Sequence, residues 1–380
     1  MTDNAFDLID QALRTGGPQA GFDLLAQKAL DDKNYPLLFE VRLLKKRHEL
    51  GLPLIQVDES AGMPPESRRD YDKAFMDAAR EVGGLFLADG NIPRAWPYFR
   101  AIGETGPVAA AIDKFDSTEG IEPIIEIAYM ERVSPYKGFQ MILSNYGICR
   151  AITSFGQFPS REGRDESLRL LVRTLHTELV ENLKRVIAKN EDQAPDTRSV
   201  PELMAGRDWL FEGYNYYVDT SHLTAVVRFS LDLNDRETLG LAIELAEHGA
   251  HLGPMFQERS DPPFENFFVD HGIYLKALRG EDVDGAVAHF RRKVEAYDVS
   301  ETGTAPPQVL VGLLARLDRY QEAIEISLRY LSEVNPSDLA CPSVLQLCFL
   351  AGDYGRLRAL ARERGDLLNY TAQALASAVT

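Results

Sequence analysis

Apolar residues spaced three and four apart recur along almost all of this 380-residue chain, and the alternating runs that build strands are nearly absent. The clearest stripe, Leu168, Leu171, Leu175, Leu179, Leu183 and Val186, follows the charged start Arg164, Asp165 and Glu166 and predicts one long helix. The same spacing predicts helices over roughly 5–15, 19–31, 36–50, 67–88, 93–104, 120–131, 136–155, 203–232, 236–252, 264–279, 283–297, 307–317, 321–334, 341–351 and 355–376. Polar or proline-bearing breaks fall at 57–65, 156–163, 190–201, 253–263 and 300–307. Helices of this length joined by short turns pair as antiparallel hairpins, and successive hairpins bury their apolar stripes only by stacking. The expected fold is all-α, an α-solenoid of antiparallel helical hairpins in a continuous right-handed stack with a concave groove.

The chain is too long for one ordinary hydrophobic core, which also favours an extended array. Its formal charge of −17 repels a phosphate backbone, so nucleic acid is not an expected partner and a basic or neutral one is. No apolar stretch reaches the length of a membrane span, and the first residues, Met1 to Asp7, carry acid where an export signal carries base. Three cysteines, Cys149, Cys341 and Cys348, stand in no metal-binding or redox spacing. A cytoplasmic protein without membrane attachment is the expectation.

Near the carboxyl end, Tyr320 and Tyr354 lie 34 residues apart, each in a short turn sequence, Leu317-Asp318-Arg319-Tyr320 and Ala351-Gly352-Asp353-Tyr354. Tyr320 and Ala323 keep a bulky residue and a small one three apart, with Ser327 at the following position and Pro336 beyond. Gly280, Val283, Ala286 and Phe290 share that spacing, and Gly90, Ile92, Ala95, Phe99 and Pro107 keep the order small, bulky, small, aromatic, proline. Gly17, Phe22 and Leu25 echo it. These units resemble tetratricopeptide repeats. The resemblance covers about 40% of the chain and implies hairpin stacking and a protein-binding scaffold. Leu357 replaces the small residue in the last unit, and no unit carries the family's first-helix tryptophan. Three segments are expected within the array: 1–119, with a repeat-like unit near 67–107, an irregular 120–263, and a repeat-like 264–380.

Two functional readings follow. In the first, the scaffold binds a protein or peptide in its concave groove, with Trp209, Tyr214, Tyr217 and Phe268 as anchors, because aromatic side chains dominate binding hot spots. In the second, His176, Asp219, His222 and His271 in the central segment form a metal or small-molecule site, catalytic or not. Asp219 and His222 lie three apart, on one helix face if the segment is helical, and His248 and His251 repeat that offset. Each of these histidines and aromatics also fits an ordinary core position, and no pattern names a cofactor. Glu119, Glu122 and Glu126 recur at helical spacing as a docking strip for a basic partner or a solvated face. Self-association is a third reading, since open array ends expose apolar faces unless capped, and the last helix, with Leu367, Leu368, Ala372, Leu375 and Ala376, is the expected cap.

Overall fold

The computed structural model describes residues 3–55, 63–297 and 303–376; parts of the breaks read at 57–65 and 300–307 lie outside them. The described residues are all-α, with one isolated bridge between Arg259 and Asn266 and no strand. Met1–Arg164 and Asp165–Thr380 form two compact units, so the central segment expected at 120–263 is shared between them. Among the described residues no helix is long and apolar enough to cross a membrane.

The first unit holds α1 (Asp3–Asp31), α2 (Tyr35–Glu49), α3 (Pro65–Ala88), α4 (Ile92–Ala101), α5 (Gly106–Asp113), α6 (Ile121–Ile125) and α7 (Pro135–Gly156). Each helix from α1 to α5 packs on the next in sequence, as hairpins do. Gly17 breaks α1 at φ 72°, a conformation open to glycine, and Pro18 restarts the helix, which matches the two segments read at 5–15 and 19–31. Asn34 and Asn91 cap α2 and α4 by accepting the backbone N–H of Leu37 and Arg94. In the α3–α4 hairpin, Ile92, Ala95 and Phe99 are buried, and a Cβ on Gly83 would meet the Phe99 ring at 2.6 Å. The repeat-like spacing of 90–99 thus marks a real helix contact. Pro107 does not follow a repeat's second helix into a loop; it opens α5, where proline's missing N–H costs nothing.

The second unit holds most of α8 (Arg164–Glu191), then α9 (Val200–Met204), α10 (Thr220–Phe229), α11 (Arg236–His251), α12 (Phe267–Arg279), α13 (Val283–Ala296), α14 (Ala305–Arg316), α15 (Tyr320–Tyr330), α16 (Val344–Leu350), α17 (Tyr354–Glu363) and α18 (Leu367–Ala376). From α10 to α18 packing again runs from each helix to its successor. Gly280, at φ 88°, turns α12 into α13, where Ala286 and Phe290 are buried, and Ala323 is buried where α15 meets α14. The single helix expected over 203–232 is replaced by α9, a 3-10 turn at Asp208–Phe211, an irregular stretch and α10. Gly206 and Gly213 adopt positive φ there and interrupt the helical ladder. The helix expected over 355–376 divides at Gly365, also at positive φ, into α17 and α18. The expected cap is in place as a helix on α17, yet Leu367, Leu368 and Leu375 are exposed; the side chain of Ala376 lies outside the described ones.

Candidate functional site

In the first unit the chain between Gly120 and Gln157 builds an open groove of about 600 Å³. Gly120 enters α6 in the left-handed region, and the helix widens at once into a π turn, Glu126–Met130. There the N–H of Glu131 reaches the carbonyl of Glu126, five residues back. Arg132 at φ 63° ends the turn, and Pro135 starts α7. Gly138 lets α7 pass close by, since a Cβ there would stand 2.8 Å from the backbone nitrogen of Tyr129. Gly147, at φ 77° and ψ 178°, then breaks α7, so its two halves diverge from a helical line. A widened turn and a broken helix leave space that two regular helices would close.

Tyr129 is buried at the bottom of this space, packed edge-on against Phe158 at 5.3 Å, and its hydroxyl donates to the Ser154 carbonyl at 2.6 Å. Burial pushes its phenol up to about 12. Ile142, buried, and Ile125 add apolar wall. Glu122, Glu126 and Met130 rise on one side, and Tyr146, Arg150, Thr153 and Gln157 on the other. Met130 is 66% and Tyr146 45% exposed, high for side chains of this size, and the Tyr146 hydroxyl donates to Glu122 Oε1 at 3.4 Å across the groove. Partial burial and the Glu122 carboxylate raise the Tyr146 phenol above its ordinary value. Two carboxylates against one guanidinium leave the lining net acidic. An apolar wall with charged rims is the chemistry of recognition: apolar surface supplies affinity and the charges fix orientation.

The histidine, aspartate and aromatic candidates lie elsewhere, in the second unit. His176, buried on α8, has Nε2 2.7 Å from Glu244 Oε2 on α11, and the same oxygen accepts the Val200 N–H. Asp219 is not on a helix face with His222 but caps α10, accepting the N–H groups of Ser221 and His222; the Ser221 hydroxyl above all, with those N–H groups, holds its carboxyl below the usual range. His271 is buried, its Nδ1 2.7 Å from the Phe267 carbonyl and its ring 4.2 Å from that of Phe264. Burial lowers it to about 4. Among the described residues no group of three or more His, Cys, Asp or Glu is placed to hold a metal ion, so His176, Asp219, His222 and His271 do not form the expected shell. His176, Asp219 and His271 are each engaged by their own helix or a neighbouring carboxylate instead, and His222 is half-buried at the start of α10.

Of the aromatic anchors, Phe268 is 1% exposed, edge-on to Phe267 and pressed against Gly249, where a Cβ would meet its ring at 2.4 Å. It is a core residue, unavailable to a partner. Trp209 is half-buried in the 3-10 turn, and Tyr217 donates its hydroxyl to the Leu210 carbonyl at 2.7 Å, while Tyr214 is exposed. Tyr217 also meets His248, a fully buried imidazole with neither nitrogen bonded to another group among the described residues, which burial lowers to about 3. His251, three residues on, bonds back to the Glu247 carbonyl.

Sequence reasoning missed Tyr129, Met130, Tyr146 and Arg150. The signal present was the acidic spacing: Glu122 and Glu126, one turn apart, do stand on the groove's rim. The chain matches no family model, and no curated protein or solved structure is significantly similar to it.

Proposed function

We propose that this chain is a cytoplasmic scaffold of helical repeats, with hairpins in each unit stacked as in tetratricopeptide repeats, and that the groove beside the π turn binds a peptide segment of a protein partner. The repeat reading is supported by the buried Ala95 and Phe99 in α4, Ala286 and Phe290 in α13, and Ala323 in α15, all at helix-to-helix contacts. The observation that carries the binding reading is the exposure of Met130 and Tyr146 over a groove of about 600 Å³ whose rim bears Glu122 and Glu126. Exposed large apolar side chains gathered at a concavity mark interaction sites. The fitting peptide carries an apolar or aromatic side chain for the wall and a lysine or arginine for the carboxylates.

Panning a random dodecapeptide phage library on the full chain tests this. Selected peptides should be basic and apolar, and fluorescence anisotropy should show at least about a tenfold loss of affinity for Tyr146→Ala and Glu126→Lys. Equal binding to both variants and the parent would exclude the groove as the site.

A further inference from the structure

The first half of α1, residues 3–16, is a two-sided helix. At 3.6 residues per turn, Ala5, Phe6, Leu8, Ile9, Ala12 and Leu13 share one face, while Asp7 and Asp10 share the other. Yet that apolar face has little to pack on: Phe6 is 68% exposed, Leu8 and Leu13 are exposed as well, and only Ala5, Ile9 and Ala12 are half-buried. Leu13 touches ground near the break, where it lies over Gly21. A helix that keeps its apolar face in water has a partner surface somewhere else.

In the second unit α16, α17 and α18 frame an open groove of about 760 Å³, lined by Pro342, Leu345, Phe349, Leu350 and Leu357 and edged by Arg364 and Asp366. Of the lining side chains, Phe349 is 63% exposed and Leu350 is exposed as well. The charge here runs against that of the chain. Arg356, Arg358, Arg362 and Arg364 stand within nine residues against Glu363, in a protein of formal charge −17. Asp366 already holds the Asn369 amide, and Arg358 donates to the Tyr370 hydroxyl, which leaves its charge at the surface.

We propose that this groove is an interaction surface whose occupant is the α1 helix of a second copy of the chain, its Phe6, Leu8, Ile9 and Leu13 seated on the apolar floor and its acidic side chains facing the arginines. Both faces are apolar, unpartnered and of opposite charge, the condition for a specific contact. The two surfaces differ, so the contact is heterologous, and a pair of copies keeps one free donor helix on one member and one free groove on the other. The inference does not rest on the groove beside the π turn.

Sedimentation velocity of the full chain over a range of concentrations tests it, with two variants, Phe6→Asp and Phe349→Asp, each at an exposed position and each checked by thermal melting against the parent. The parent should associate as concentration rises and less so as salt is raised, because screening weakens the charged rim. Each variant alone should lose association at least about tenfold. Mixed in equal amounts, the two should form a one-to-one complex, because Phe6→Asp retains an intact groove and Phe349→Asp an intact helix. A parent that stays monomeric throughout, or a mixture that fails to restore the complex, overturns the proposal. A symmetric helix-to-helix or groove-to-groove contact gives the second of these results.

Discussion

The Tyr129 hydroxyl donates to the Ser154 carbonyl at 2.6 Å, tying the π turn to the half of α7 that lies beyond the Gly147 break. A broken helix is held at its angle by whatever bridges the break, here the buried Tyr129 phenol together with the edge contact of Phe139 on Phe155 at 6.1 Å. Tyr129→Phe should keep the edge contact with Phe158 and lose the bond. The expected cost is about 1 kcal/mol in urea denaturation, with faster amide exchange over 148–156, because the tie between the π turn and the far half of α7 is lost, while the Ser154 carbonyl still accepts the Gln157 N–H at 3.0 Å.

Gly138→Ala should be the more disruptive change. Its methyl would come 2.8 Å from the Tyr129 nitrogen, which is backbone and cannot rotate away, so α7 or the π turn must move. Overpacking of this kind costs about 1–3 kcal/mol, measurable as a lower denaturation midpoint, and any peptide selected on the groove should bind this variant more weakly.

Two buried histidines make stability depend on pH. His248 is held at about 3 and His271 at about 4, in both cases by burial, against about 6.5 in an unfolded chain. Between those values the unfolded state binds the protons and the folded state does not, so stability rises with pH. It is fully present above about 6.5 and is lost as pH falls toward the folded values. Each histidine should remove about 2 kcal/mol between pH 6.5 and 4.5. Denaturation midpoints at pH 7 and 4.5 check this; in His248→Leu the drop should shrink by the share of one group.

The aromatic residues of the second unit should separate by burial. Phe268→Ala empties a packed site and should cost about 3–5 kcal/mol. Tyr214→Ala, at an exposed position, should change stability by less than about 0.5 kcal/mol. Thermal melts of the two variants decide it, and a severe loss for Tyr214→Ala would place that ring in the core.

Legibility differed sharply between the fold and the site. The stripe of α8 from Leu168 to Leu183 is buried residue for residue as its period requires, and Gly17 breaks α1 between the two predicted segments. Glu122 and Glu126 were visible as a pair, but nothing in their spacing told a groove rim from a solvated face.

Sequence alone determined that this chain is helical, where most of its helices lie, and which small and aromatic residues, such as Ala95 with Phe99 and Ala286 with Phe290, face the helix contacts. These are local properties, because a period of 3.6 residues is written within each segment. Tertiary structure alone decided that Pro107 opens a helix, that Asp219 caps one, that Phe268 is core, that His176 meets Glu244 68 residues away, and that Met130 and Tyr146 share a groove. Each of these depends on the register and angle between segments far apart in the chain, and no local period carries that information.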